Sequence, residues 1–330
     1  MVSSKDVAKF AGVSQSTVSR VLNNPRLVDA KTFEKVTKAM KELNYRPNSI
    51  ARSLVKQQTQ SIALISGPLH NPFFVETTTS IVNYSKERGY NVNVHFENFG
   101  DNMAVYQDVL NQKVDGIILS SILYEDPIYE ELIKSEVPFI MFNRKHKKNG
   151  HYVEMDNVQA GRIATEHLLS LNHRKIVWIG GPLSMTTFKG RFDGFKEVML
   201  EKGIEVSDHN CKTTDTSKSD IKKVLQEVLA VKERPTAIFA ATDSIAIYLI
   251  DLLIEKGYRV PDDISVIGVD NIALSQHNSF QLTTVGMEEE KDLGRIAIEH
   301  LIEIINEAPA DFINKTYKNK LYNRSTTKKI

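Results

Sequence analysis

Residues 3 to 24, SSKDVAKFAGVSQSTVSRVLNN, constrain the fold more than any other stretch of the chain. They read as two short helices broken at one glycine. Ser3-x-x-Asp6 is a capping-box-like start, in which side-chain oxygens satisfy free helix amides. Val7, Ala8 and Ala11 follow as an apolar stripe at helical spacing. Gly12 stands where the chain turns tightly, and Ser14 caps a second helix whose Val18, Val21 and Leu22 face the first. Between those apolar residues lie Gln15, Ser16, Thr17, Ser19 and Arg20, all hydrogen-bonding types. The pattern predicts a helix-turn-helix with a polar outer face of the kind that enters a major groove. Taken alone, it also fits a helical hairpin with a merely solvated face, because short patterns of this kind match by chance.

The continuation decides between them. Asp29 caps a third helix with Phe33, Val36, Met40 and Leu43 on one face, closing a three-helix core. YRPNSIARSL then spans 45–54. With KDVAKFAGVSQSTVSRVLNN and YRPNSIARSL both present, the chain resembles the lactose-repressor (LacI/GalR) family of bacterial transcription regulators, over essentially its whole length. The resemblance implies an α/β protein in three parts. A helix-turn-helix, three-helix DNA-binding domain takes 1–47, and a hinge helix and linker take 48–60. A two-lobed, type I periplasmic-binding-protein-like body of doubly wound parallel sheets takes 61–330. The residues expected at DNA are Ser4, Gln15, Ser16, Thr17, Arg20, Asn23 and Tyr45 in the head. Asn48, Ala51, Arg52, Leu54 and Lys56 join them from the hinge. Residues 48–56 are too few for a stable isolated helix, so the hinge is expected to fold only on DNA. Leu54 is expected to act there as the apolar wedge in the minor groove.

Charge is consistent with this division. Residues 1–60 hold eleven Lys and Arg against four Asp and Glu, a net +7, while the remainder carries −6. A basic module on an acidic body suits contact with a phosphate backbone. No apolar run reaches the length of a membrane span, and no apolar signal region precedes the helix-turn-helix. A cytoplasmic location is therefore expected. One cysteine, Cys211, excludes an intrachain disulfide and a cysteine-based zinc cluster.

From Ser61 the texture changes. SIALISG, NVNVHF, VDGIILSS, PFIMFN, KIVWIGG, TAIFAAT, ISVIGVD and LTTV are β-rich runs, mostly with helical segments between them. Near-continuous apolar strands alternating with helices predict parallel sheets covered on both faces. There are too many strands for one small sheet, so two lobes are expected. The first takes about 61–157 and 287–314, the second about 158–286 and 315–330. The tail, KNKLYNRSTTKKI, reads as a last strand without the added helical segment of the family's tetrameric members. A homodimer is expected.

In open parallel sheets, ligands bind beyond the carboxyl ends of the strands. Asn71, Phe73, Asn143, Asp156, Thr187, Arg191, Thr242 and Asp270 stand at such ends and are the candidate effector-binding residues. Their amides, hydroxyls and charges suit a polyhydroxyl ligand, with an aromatic closing over its apolar face. By resemblance, Arg191 and Asp270 match the family's most regular effector contacts, and Asn143 falls where sugar-binding relatives often carry Asp. Thr216 replaces an aromatic that relatives stack on the ligand. No glutamine follows the LTT strand, and Met185 falls where the purine-responsive member carries arginine. These departures disfavour a purine and weaken a standard hexose site. Any single polar strand end is otherwise a helix cap or loop hydrogen bond.

No cofactor, metal or catalytic site is expected. GGP at 180–182 is not a dinucleotide fingerprint, and no phosphate-binding loop occurs. His70, His95, His146, His151, His167 and His173 lack metal-ligand spacing and read as surface or cap residues. Glu288–Glu290 reads as a helix start favoured by the dipole. The function expected is that of a repressor which binds a near-palindromic duplex operator under control of a small molecule, a sugar or related metabolite. The alternative is control by a partner protein on a vestigial cleft. A sugar-binding transport protein is contradicted by residues 1–60, and an α/β enzyme by the missing cofactor and nucleophile motifs.

Overall fold

The computed structural model describes residues 2–45, 58–97, 102–307 and 309–330. It divides into two compact units, Met1–Thr59 and Gln60–Ile330. The hinge residues expected at DNA, Asn48, Ala51, Arg52, Leu54 and Lys56, lie outside the described residues, as does the side chain of Asn23.

The first unit contains α1 (Ser4–Ala11), α2 (Gln15–Asn23), a 3-10 turn (Pro25–Leu27) and α3 (Ala30–Glu42). Ser3 Oγ accepts from Asp6 N–H at 3.4 Å, and Asp6 Oδ2 accepts from Ser3 N–H at 2.9 Å. Gly12 ends α1 in the left-handed region, φ 66°, where glycine carries no steric penalty. Ser14 Oγ and Asp29 Oδ1 then cap α2 and α3. Val7, Val18, Val21 and Val36 are buried together with Ala8 and Ala39. A buried valine contributes about 1.5–3 kcal/mol, so caps worth about 1 kcal/mol each matter in so small a core. Phe33 corrects the expected stripe on α3: it is 40% exposed. Ala39 completes the inward face beside Val36 and Met40, and Phe33 stays in the exposed first turn.

The second unit runs β1 (Ser61–Ser66), α4 (Pro72–Glu87), β2 (Asn91–Phe96), α5 (Asn102–Leu110), β3 (Gly116–Leu119), α6 (Ile128–Lys134), β4 (Phe139–Phe142) and β5 (Tyr152–Met155). It continues with α7 (Asn157–Ser170), β6 (Ile176–Gly180), α8 (Thr186–Glu201), β7 (Cys211–Thr213), α9 (Lys218–Ala230), β8 (Ala237–Ala240), α10 (Asp243–Glu255) and β9 (Ser265–Val269). A 3-10 turn (Ala273–Gln276), β10 (Thr284–Met287), α11 (Leu293–Glu307), β11 (Asn314–Tyr317) and β12 (Asn319–Tyr322) complete it.

Two six-stranded sheets result, ordered β11-β5-β4-β3-β1-β2 and β12-β10-β9-β8-β6-β7. All pairings are parallel except β12 against β10. Strand period explains the two-sided cover. Ile62 and Leu64 pack with Ile81 of α4 and Leu301 of α11. Ala63 and Ile65 pack with Val109 of α5 and Leu132 of α6 on the other face.

The chain crosses between lobes at Asp156, between Met287 and Leu293, and at Lys318. β11 keeps the first lobe going to Tyr317, so the last crossing falls beyond position 314. Glu288–Glu290 lies in the second crossing rather than at a helix start, and Asp292 Oδ1 accepts from Arg295 N–H in its place. Both sheets reverse their winding beside their first strand, β1 in one lobe and β6 in the other. Such a switch point opens a crevice at the carboxyl ends of the strands.

Candidate effector cleft and DNA-reading face

The two crevices face one another across a cavity of about 60 Å³. The loop after β1 supplies His70 and Asn71, and α4 supplies Phe74. From the second lobe come Met185 and Phe188 at the start of α8, Asp215 and Thr216 before α9, and Thr242 and Ser244 at the start of α10. Arg144 enters from the end of β4. Phe74 and Phe188 give apolar ring faces from opposite lobes. They supply the aromatic character that Thr216 lacks.

Arg191 does not line this cavity and is 1% exposed. Its Nε donates to Asn157 Oδ1 at 3.0 Å, its Nη1 to the Ala241 carbonyl at 2.6 Å and its Nη2 to Asp270 Oδ1 at 2.7 Å. Burial of Asp270 raises its carboxyl above the usual range, and the Arg191 guanidinium opposes that shift. Asp270 and Asn271 both adopt positive φ, 122° and 52°, a conformation costly for residues with a Cβ. Asp243 helps hold it: its Oδ2 accepts from Ile272 N–H at 3.0 Å and its Oδ1 from Thr284 Oγ1 at 2.5 Å. Asp243 is fully buried, and burial followed by the charge of Asp270 pushes its carboxyl up to about 8.

The sequence candidates separate on this geometry. Asn71 caps α4 through Phe73 N–H and lines the cavity. Thr242 lines it too while capping α10 through Ile245 N–H. Phe73 and Asp270 instead line a neighbouring interlobe cavity of about 260 Å³. The two adjacent rings, Phe73 and Phe74, meet edge to face at 5.3 Å, so only one reaches each cavity. Asp156 caps α7 through Gln159 N–H and borders a third interlobe space of about 740 Å³. Thr187 is buried in the first turn of α8. Asn143 is buried at the end of β4 with φ 66°.

Arg144, Phe74 and Phe188 were not among the expected effector contacts, although Arg144 and Phe74 follow strand ends that the sequence marks as sides of the cleft. Arg144 was visible as a strand-end residue, the neighbour of Asn143. Its Nη1 donates to the Ser121 carbonyl at 2.9 Å, while its Nε is buried without a hydrogen-bond partner among the described residues. Burial lowers its pKa, and the nearby Glu97 carboxylate opposes that. Two histidines are interior rather than surface residues. His173 bridges Thr236 Oγ1 and the Lys328 carbonyl, and His146 stacks on Tyr129 at 4.2 Å. Among the described residues, no group of three His, Cys, Asp or Glu is placed to hold a metal ion.

On the first unit, Gln15, Ser16 and Arg20 are exposed along α2, on the side away from buried Val18 and Val21. Gln15 Nε2 donates to Ser4 Oγ at 3.0 Å, tying the start of α2 to α1. Thr17 is half-buried and its hydroxyl meets Ser14 Oγ at 2.8 Å. Tyr45 is half-buried against the three-helix core.

A helix-turn-helix unit and a two-lobed ligand-cleft body define the class of two-domain bacterial regulators. Residues 4–48 match the bacterial regulatory proteins of the lacI family, and residues 165–327 match a periplasmic binding protein-like domain. The chain is 34% identical to the HTH-type transcriptional repressor PurR of Photobacterium profundum over 313 residues, 93% of each chain. It is also 34% identical to the ribose operon repressor of Halalkalibacterium halodurans over 330 residues, 99% of this chain and 98% of that one. The Lac repressor bound to ONPG in its repressed state superimposes with a TM-score of 0.86 at 28% identity, over 99% of both chains. The chain belongs to the lacI family of bacterial regulatory proteins. No helix among the described residues is long and apolar enough to cross a membrane.

Proposed function

We propose that this protein is a homodimeric, sequence-specific DNA-binding repressor whose operator affinity is set by a small polar metabolite bound between the lobes. One observation carries the reading. A head with exposed Gln15, Ser16 and Arg20 shares a chain with an interlobe cavity lined from both lobes. Relatives described as repressors, among them the ribose operon repressor, support the direction of control. The ligand class follows from the lining. Asn71, Asp215, Thr216, Thr242, Ser244 and Arg144 offer donors and acceptors, while Phe74 and Phe188 offer apolar faces. That suits a compact polyhydroxyl compound. A related regulator from Enterococcus faecium, solved with bound ribose, has a TM-score of 0.73 at 25% identity over 82% of this chain and 99% of that one.

The test combines two measurements. Selection of bound sequences from a random duplex pool should return a near-palindromic consensus with half-sites about one helical turn apart. Calorimetry against pentoses, hexoses, sugar phosphates and purines should find one tight ligand. The same ligand should change operator affinity, since coupling between sites is reciprocal. Asp270→Ala should abolish that response and leave ligand-free DNA binding nearly intact. Tight binding that survives in Asp270→Ala would remove Asp270, which lines the neighbouring cavity, from the effector contacts. No binding in either protein would favour a partner protein as the signal.

A further inference from the structure

Away from the three crossings, a hydrogen bond joins the lobes: Ala273 N–H donates to Glu76 Oε1 at 2.9 Å. Glu76 stands on α4 of the first lobe, one turn after Phe73. Ala273 opens the 3-10 turn of the second lobe, and the first amides of such a turn lack partners within it. The residue before it, Ile272, provides no side-chain cap. The cap comes from the other lobe.

Three successive amides of this loop are held by side chains. Asn271 N–H lies 3.4 Å from Thr284 Oγ1, Ile272 N–H is bound by Asp243 and Ala273 N–H by Glu76. The first two anchors belong to the second lobe and travel with the loop. Glu76 does not. The same loop begins at Asp270, the partner of Arg191.

We propose that Glu76 is an interlobe positioning residue that fastens the Asp270–Ala273 loop to helix α4, favouring the closed arrangement of the lobes. A change at Asp270 then has a route to the first lobe through the Glu76 carboxylate, beside the contact of Arg191 with Met155. The inference rests on the effector-cleft reading only for what the closure controls.

A pH signature follows from the surroundings. Burial raises the Glu76 carboxyl, the Ala273 N–H opposes this, and Asp292 and Asp270 add to the rise. Glu289, Glu290 and Lys291 line the same cavity. Opening the lobes returns the carboxyl to water, so its proton is held more tightly in the closed form. Closure is strengthened as pH falls through this ionisation and weakened as pH rises through it.

The test uses nitroxide labels at the exposed Lys113 and Lys256, one on each lobe, in a Cys211→Ser chain diluted with unlabelled protein. Glu76→Ala should lose the short-distance population. Glu76→Gln should retain it, because its amide oxygen still accepts from Ala273 N–H and its NH2 faces the Asp292 and Asp270 carboxylates. The gain in short distances on acidification should be present with Glu76 and reduced with Gln. A distance distribution unchanged in Glu76→Ala would overturn the proposal. So would Gln behaving like Ala, or an undiminished acid response in Gln. No effector enters the measurement, so its failure is separate from failure of the ligand assignment.

Discussion

Gly161 of α7 lies directly against the Arg191 carbonyl of α8: a Cβ at position 161 would sit 2.2 Å from that oxygen. The contact sets how closely the two helices pack, and with it where the Arg191 side chain begins. Gly161→Ala should therefore push α8 away from α7, at a cost of about 1–3 kcal/mol typical of overpacking. Urea denaturation measures the cost. An unchanged midpoint would mean the helix pair absorbs a methyl group without moving.

Arg191 and Asp270 should not be equivalent in stability. Arg191→Met leaves Asp270 buried without its cation, a loss of about 3–5 kcal/mol by analogy with broken buried pairs. Asp270→Asn keeps the Asn157 and Ala241 bonds to Arg191 and removes a like charge from Asp243. It should cost clearly less. The denaturation midpoints of the two variants give the order, and the reverse order would contradict the pairing scheme.

Asp243 should make the body less stable in alkali. Its carboxyl titrates at about 8 in the fold, against 3.8 when unperturbed. A raised pKa means the stabilising contribution is complete below about pH 4 and is lost as pH rises through about 8. Scanning calorimetry across this range should show a declining transition temperature. Asp243→Asn, which retains an acceptor for Ile272 N–H, should flatten the decline. Parallel curves for the two proteins would assign the titration to another group.

Arg20 should carry operator discrimination. It is exposed on α2, and an arginine reading guanine bidentately is worth about 1–3 kcal/mol. Arg20→Ala should lose preference for the selected operator over random duplex while weak nonspecific binding persists. Anisotropy titrations at fixed salt report this, and unchanged preference would remove Arg20 from the reading face.

The head was legible almost residue by residue, because capping and the glycine turn are local chemistry. Ser3, Asp6, Gly12, Ser14 and Asp29 each act within three or four residues of themselves. The doubly wound lobes were legible for a related reason: strands buried on both faces cannot hide their composition. Side-chain direction was not. Phe73 and Phe74 differ only in which way one helical step turns them, and tertiary packing sends them into separate cavities. Asn143 and Arg144, adjacent at the end of β4, also part company, and only Arg144 lines the cavity. The bond from Glu76 to Ala273 joins residues almost two hundred positions apart, and no periodicity announces it. The antiparallel β12 follows from the last crossing, which turns the chain back against β10.

The three crossings also govern how the protein comes into being. The first lobe starts near Ser61, yet its edge strand β11 and the covering helix α11 emerge only after most of the second lobe has been synthesised. On the ribosome, the reading head can fold early and alone, while neither lobe can close until the chain has reached Tyr317. A chain terminated after Met287 would keep every residue of the head. It would also leave the first sheet with an open edge and an apolar face, including Ile62, Leu64 and Ile118, that has lost the cover of α11. Such a product would be marked for aggregation or proteolysis before it could occupy an operator without control.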